Sequence, residues 1–283
     1  MQLFALENTA PIAANLAEKG KNYLCPECRS HVRVRGGPSR QSHFYHITTP
    51  KHCRQHKKSL EHLQLQLKIL HSIGELDAQI ECPFPSIQRI ADVAWHEKKI
   101  IFEIQCSPIS LEETQSRNHD YRSIGYEVIW ILHEKKFNQK KLSAAENYLR
   151  NSPCYFTDID KMANGVVYDQ FDVIKKHLRL FKGPKLPLSI HSIHFLPKTA
   201  PPDTELPQIL LHRLSSWKCY TKKDLLHRWL QEGSLSKSTK SMLSLEKQLL
   251  QETPPAERLP LCILIAKTYR FLLHTIIREL GLF

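Results

Sequence analysis

Arg89-Ile90-Ala91-Asp92-Val93-Ala94-Trp95, a polar turn at His96 to Lys98, then Ile100-Ile101-Phe102-Glu103-Ile104-Gln105 decide how this chain is read. Two short apolar runs separated by a tight turn form a hairpin, and each strand carries one acid in its middle. Side chains alternate along a strand, so Ile101, Glu103 and Gln105 share one face while Ile100, Phe102 and Ile104 share the other. Asp92 is expected beside Glu103 across the hairpin. An acid in an apolar strand is costly unless a cation or hydrogen bonds satisfy it, and two neighbouring acids repel. A divalent ion, Mg²⁺ or Mn²⁺, held by Asp92 and Glu103 would answer both problems and suit phosphodiester hydrolysis. Without such an ion, deleting either acid is expected to raise stability.

The flanking sequence supplies the rest of a core. Ser59 suits a helix N-cap, and Leu60, Leu63, Leu67 and Leu70 form one stripe of a helix ending near Gly74. Ala78 to Cys82, Gln88 to Trp95 and Lys99 to Gln105 read as a three-strand meander. Ser110 with Glu113 three residues on is a capping-box pattern that opens a second helix, stopped at Gly125. Tyr126 to Leu132 is a nearly continuous apolar run, as in a strand buried on both faces. The order α-β-β-β-α-β defines an α/β (α+β) core with a mixed sheet. Glu61 on the first helix is positioned to join the acids. On the second helix, Arg117 and Tyr121 lie one turn apart and share a face.

Ahead of this core stands Cys25-Pro26-Glu27-Cys28, whose two-residue gap lets both thiolates face one ion, and His43, His46, Cys53 and His56 follow. The spacing is that of a zinc ribbon in a segment with few apolar residues of its own. Four-coordinate Zn²⁺ cannot use six candidates. Cys25, Cys28 and Cys53 are preferred for softness, and His43 or His46 completes the set. On an extended strand the two imidazoles point to opposite faces, so only one binds, and His46 is favoured over His43.

The chain has 283 residues, with 40 Lys+Arg against 28 Asp+Glu and a net charge of +12, a balance that attracts polyanions. From Arg29 to Lys58 there are eight basic residues and no acid: Arg29, Arg33, Arg35, Arg40, Lys51, Arg54, Lys57 and Lys58. They are expected on the surface of the small metal unit as a phosphate-binding patch, with Arg33, Arg35 and Arg40 contacting DNA. The start lacks the pattern of a signal peptide, and the most apolar segment, Leu261 to Leu280, is broken by Lys267, Arg270, His274 and Arg278. A cytoplasmic protein with no membrane segment is therefore expected. Past an irregular linker around residues 182–207, Leu206 to Leu214, Lys222 to Leu230, Met242 to Leu250 and Leu261 to Leu280 read as a helical C-terminal unit. The expected division is a strand and zinc-binding basic unit at 1–57, the core at 58–155, and a linker with helical domain at 156–283.

Several of these residues carry a resemblance. Ser59-Leu60-Glu61-His62, Ile90-Ala91-Asp92, Glu103-Ile104-Gln105-Cys106-Ser107-Pro108-Ile109-Ser110, Arg117 with Tyr121, and Gly125-Tyr126-Glu127-Val128-Ile129-Trp130 together resemble the competence protein CoiA family. Cys25-Pro26-Glu27-Cys28 with His43-Phe44-Tyr45-His46 is similar to that family's N-terminal region. The resemblance implies a restriction-endonuclease-like fold with a PD-(D/E)xK site that processes or recombines DNA taken up in natural transformation. Single-stranded DNA or recombination intermediates, and other recombination or competence proteins, are the implied partners. It makes Glu61, Asp92 and Glu103 the acids, puts Gln105 where the general motif has lysine, and sets Arg117 and Tyr121 over the acids as phosphate contacts. A neutral glutamine orients by hydrogen bonds and supplies no charge. Two readings follow: a Mg²⁺- or Mn²⁺-dependent deoxyribonuclease, and a DNA-binding recombination mediator that keeps the fold without cleaving. A zinc-ribbon transcription factor is weaker, because it leaves the buried acids unexplained.

Overall fold

A computed structural model describes residues 2–37, 40–48, 53, 58–74, 77–196, 205–232, 237–252 and 268–269. The N-terminal unit is a small antiparallel sheet of β1 (Phe4–Glu7), β2 (Ala10–Ala13), β3 (Tyr23–Leu24), β4 (His31–Gly37) and β5 (Arg40–His46), in the order β2-β1-β3-β4-β5. Its core is little more than Ala5, Tyr23, Val32, Val34 and Phe44 around Cys25 and Cys53. So few apolar side chains leave the unit short of burial, the setting in which a bound metal would add folding energy.

The core begins at α1 (Leu60–Ile73), where the Ser59 hydroxyl accepts from the His62 amide and Gly74 closes the helix at φ 115°. A seven-stranded mixed sheet follows. Its meander is β6 (Ala78–Phe84), β7 (Arg89–Trp95) and β8 (Ile100–Gln105). Then come α2 (Leu111–Ser123), capped by Ser110 through the Glu113 amide, and β9 (Glu127–His133), which runs parallel to β8. The expected α-β-β-β-α-β order is present. Ile100, Phe102, Ile104, Ile129 and Ile131 pack toward α1, while Ile101, Val128, Trp130 and Leu132 pack with Tyr121 of α2. This is the alternation the sequence dictates.

The sheet does not stop at residue 155. After α3 (Ala144–Leu149), β10 (Cys154–Thr157) crosses that boundary and pairs parallel with β9. Next, β11 (Val167–Asp169) pairs with β10 and, past a hairpin of β12 (Asp172–Lys175) and β13 (Leu178–Lys182), with β14 (Leu186–Pro187). The full order is β14-β11-β10-β9-β8-β7-β6. The segment ahead of the irregular stretch expected around 182–207 is thus sheet, because Cys154 to Thr157 find a buried place beside β9 and Val167 to Asp169 one beside β10.

The C-terminal part is not purely helical. β15 (Ser189–Phe195) pairs with β16 (Cys219–Lys222) around α4 (Gln208–Ser216), followed by α5 (Leu225–Glu232) and α6 (Lys237–Glu252). The expected helix at Leu261 to Leu280 lies outside the described residues apart from Thr268 and Tyr269. Arg213 of α4 is fully buried against Asp169 of β11, and the Tyr155 hydroxyl of β10 donates to Asp224 at 2.6 Å. These polar ties fix the helices to the far half of the sheet and leave the β7–β8 end open.

Candidate active site and metal centre

The metal centre follows from one knuckle. The Cys25 carbonyl accepts from the Arg29 amide at 3.0 Å, and Arg29 takes a left-handed φ of 58°, which folds Cys25 and Cys28 to one side. The ligand atoms of Cys25, Cys28, His46 and Cys53 lie within 4.8 Å of one another. Cys25 Sγ and Cys53 Sγ are 3.7 Å apart, and Cys28 Sγ is 3.3 Å from His46 Nε2. A tetrahedron with bonds of about 2.3 Å has edges of about 3.7 Å, so these spacings and the soft donor set fit Zn²⁺. Burial pushes the Cys25 and Cys53 thiols up, so each favours the protonated state unless a cation draws the proton off. His43 is on the opposite face of β5, fully buried, with Arg35 Nε donating to its Nε2 at 3.0 Å. It stands outside the Cys25–Cys28–His46–Cys53 group, and His56 lies outside the described residues.

The acids sit where two strands part. Ile80 pairs with Val93 and Cys82 with Ala91, which sets Glu81 across from Asp92. On the other side β7 pairs with β8 only from Val93–Phe102 to Trp95–Ile100. Beyond that point the strands separate, and the Ile104 amide donates to Asp92 Oδ2 at 2.9 Å. Asp92 Oδ1 lies 2.9 Å from Lys58 Nζ and 3.0 Å from His62 Nε2. Burial alone would raise the Asp92 pKa, but His62 and Lys58 beside it, with the Ile104 N–H, hold it well below the usual carboxylate range. Burial also lowers the His62 pKa against the pull of Asp92, so the imidazole serves as a neutral hydrogen-bond donor.

Glu103 is served from the opposite face. It is fully buried, accepts from the Tyr121 hydroxyl at 2.8 Å, and pairs with Arg117, whose Nε also reaches Glu113 at 2.9 Å. Burial raises the Glu103 pKa; Arg117 opposes this and Asp92 adds to it, and the net shift is upward. Arg117 stays charged, because Glu103 and Asp92 outweigh the cost of its burial. Tyr121 is fully buried with its hydroxyl committed to Glu103, so it orients the acid and has no surface to offer a phosphate. Gln105 turns away: its Nε2 donates to the Ser107 carbonyl at 2.6 Å and lies 3.2 Å from Ser107 Oγ. Glu61 pairs with Lys135 at 3.2 Å. Burial raises its pKa, but its own amide, Ser59 and Lys135 outweigh that and hold it low. It is not among the residues lining the cleft.

That cleft, about 840 Å³, has Asp92, Lys58, Gln105 and Arg117 on one side and Glu27, Arg29 and Cys53 of the metal unit on the other. The Cys/His knuckle is thus one of its walls. Three neighbours of the acids escape a reading of sequence alone. Lys58, expected on the basic surface, is buried against Asp92 and Glu81, with its side chain 11% exposed. His62, in the first turn of α1, lies 3.0 Å from the same Asp92 oxygen. Glu81 is buried at a left-handed φ of 50°, a strained geometry costing about 1–2 kcal/mol, with its Oε2 unpartnered among the described residues. Nothing in the sequence around it announces this.

Of the expected DNA contacts on the metal unit, Arg33 and Arg35 share one face of β4. Arg33 Nε donates to Asn22 at 2.7 Å, and Arg35 stacks over Tyr45 at 4.7 Å. Arg40 begins β5, and Lys51, Arg54 and Lys57 lie outside the described residues. No helix among the described residues is long and apolar enough to cross a membrane.

A mixed sheet with paired acids at its open end and a Cys/His knuckle at the rim is the arrangement of a nuclease-like protein with an appendage that could hold a metal. Residues 58–173 match the family model described as "Competence protein CoiA, nuclease-like domain", and residues 7–56 match "Competence protein CoiA, N-terminal domain". The chain belongs to the competence protein CoiA family. No curated protein and no solved structure matches it.

Proposed function

We propose that this protein is a metal-dependent deoxyribonuclease that processes DNA taken up during competence, working in the cytoplasm beside recombination proteins. The observation that carries the reading is the placement of Asp92 on a cleft rimmed by cationic side chains, with Glu103 buried beside it at the parting of β7 and β8 and tied to Arg117 of the cleft wall. Their hard oxygen donors suit Mg²⁺ or Mn²⁺, which would supply charge neutralisation at a phosphodiester and a more acidic bound water. Asp92 is ready as a ligand, since its pKa is held low, while Tyr121 and Arg117 fix the rotamer of Glu103. Zn²⁺ at Cys25, Cys28, His46 and Cys53 keeps the rim of the cleft folded. Arg33, Arg35 and Arg40 would draw DNA toward it.

A second reading, a DNA-binding recombination mediator that does not cleave, is favoured by one specific observation. All four carboxylate oxygens of Asp92 and Glu103 already accept from protein donors, and Gln105 brings no charge. The deciding experiment incubates purified protein with end-labelled single- and double-stranded DNA in Mg²⁺, Mn²⁺ or chelator. Cleavage is expected in the parent and is lost in Asp92→Ala and Glu103→Ala. Variants that cleave as fast as the parent refute the site. If none cleaves and all bind, the second reading takes over.

A further inference from the structure

Position 105, where a lysine would supply charge to a phosphate, holds a glutamine whose amide is committed to Ser107. The site nevertheless contains an ammonium. Lys58 Nζ stands 2.9 Å from Asp92 and 3.4 Å from Glu81, on the wall of the same cleft as Gln105. Two carboxylates face this ammonium at ion-pair distance, the surroundings that favour the charged form of a lysine. Arg117, the cation beside Glu103, is pinned between Glu103 and Glu113 and has little freedom to turn. An ammonium on a four-carbon stem is a point charge that can move from a carboxylate to a phosphate nearby. Asp92 does not depend on it alone, because His62 and the Ile104 amide also hold that carboxylate.

Glu81 strengthens the case. Its side chain is buried in a strained backbone conformation, with Oε1 near Lys58 and the Leu3 amide and Oε2 buried without a partner among the described residues. A residue kept under those conditions, directly across from Asp92, makes sense as the second arm of a cradle that holds one ammonium at the acids.

We propose that Lys58 is the cation this site presents to a DNA phosphate, taking the role that Gln105 leaves without charge. The proposal rests on the reading of the cleft as a DNA site and not on cleavage. The test measures binding of a single-stranded oligonucleotide and a duplex by fluorescence anisotropy, in Ca²⁺, across a range of salt. Lys58→Met should bind several-fold more weakly, and the slope of log affinity against log salt should fall by about one phosphate's worth, while Lys58→Arg keeps the parent slope. Lys58→Met with Gln105→Lys should recover the lost slope. Should Lys58→Met lose its zinc or melt early, Lys58→Gln, which keeps a donor for Asp92, gives the same comparison. Parent affinity and slope in the neutral variants overturn the proposal, and so does a parent that fails to bind DNA. If the slope falls as expected but the parent never cleaves, Lys58 keeps its role and the nuclease reading fails. If the parent cleaves and the slope does not move, the nuclease reading survives and Lys58 loses the role.

Discussion

Replacing Arg117 by Met removes the cation from a carboxylate that has no solvent to fall back on. Glu103 is fully buried, and of its two oxygens one is held by Tyr121 and the other by Arg117. Stranding one member of a buried pair costs about 3–5 kcal/mol when the remaining charge is kept. Glu103 has an escape, because it can take up a proton, and its pKa, already raised by burial, should move higher once Arg117 is gone. A carboxyl whose folded pKa exceeds its unfolded value binds more protons when folded. Its stability contribution is therefore complete below the unfolded pKa and is lost as pH rises toward the folded one. The penalty of Arg117→Met should then be small where Glu103 is protonated in both proteins, and grow by about 1.4 kcal/mol per pH unit above the parent's folded pKa until it reaches that ceiling. Urea denaturation of the parent, Arg117→Met and the double variant with Glu103→Gln, from pH 5 to 8, measures it. The double variant should recover most of the loss at pH 8, since an amide keeps the hydrogen bond from Tyr121 without charge. A stability gap that does not change with pH, or a double variant no more stable than Arg117→Met at pH 8, refutes this account of Glu103.

Metal analysis should find one zinc per chain, and Cys25→Ser or Cys53→Ser should lose it and expose the N-terminal unit to protease while the seven-stranded core stays folded; a variant that retains zinc rules out the ligand set. Charge reversal at Arg33 and Arg35 should weaken binding to all DNA sequences alike and flatten its salt dependence, whereas a loss confined to one sequence indicates base readout. Gln105→Ala should lower any cleavage less than Asp92→Ala does, because it removes orientation and no charge; equal losses contradict the placement of Gln105 away from the acids. Asp92→Ala should lower stability by about 1–3 kcal/mol, since it removes one of the two acids that hold the buried Lys58, and an unchanged or raised melting temperature contradicts that.

That last expectation reverses what the sequence implies, and the reason lies in what a one-dimensional reading can see. Period-two alternation and the two N-caps at Ser59 and Ser110 are local, so the core order, the face of Glu103 and the opposite facing of His43 and His46 were all legible. β10, β11 and β14 have two to four residues each and too little periodicity to announce a strand; only their pairing to a sheet already formed defines them. Charge partners are less local still. Two acids on adjacent strands look like a repelling pair until Lys58 and Arg117 are found beside them, and nothing in a run of basic residues separates Lys58 from its neighbours. What does so is register: Glu81 faces Asp92 because Ile80 meets Val93 and Cys82 meets Ala91, and the start of α1 brings Lys58 to both. A lysine within a positive stretch is normally solvated, because burying an ammonium is expensive unless acids compensate it. Two acids on neighbouring strands do so here. The same pair of acids that suggests a metal thus also explains why this one lysine leaves the surface, so the acids' role has to be tested with Lys58 in view.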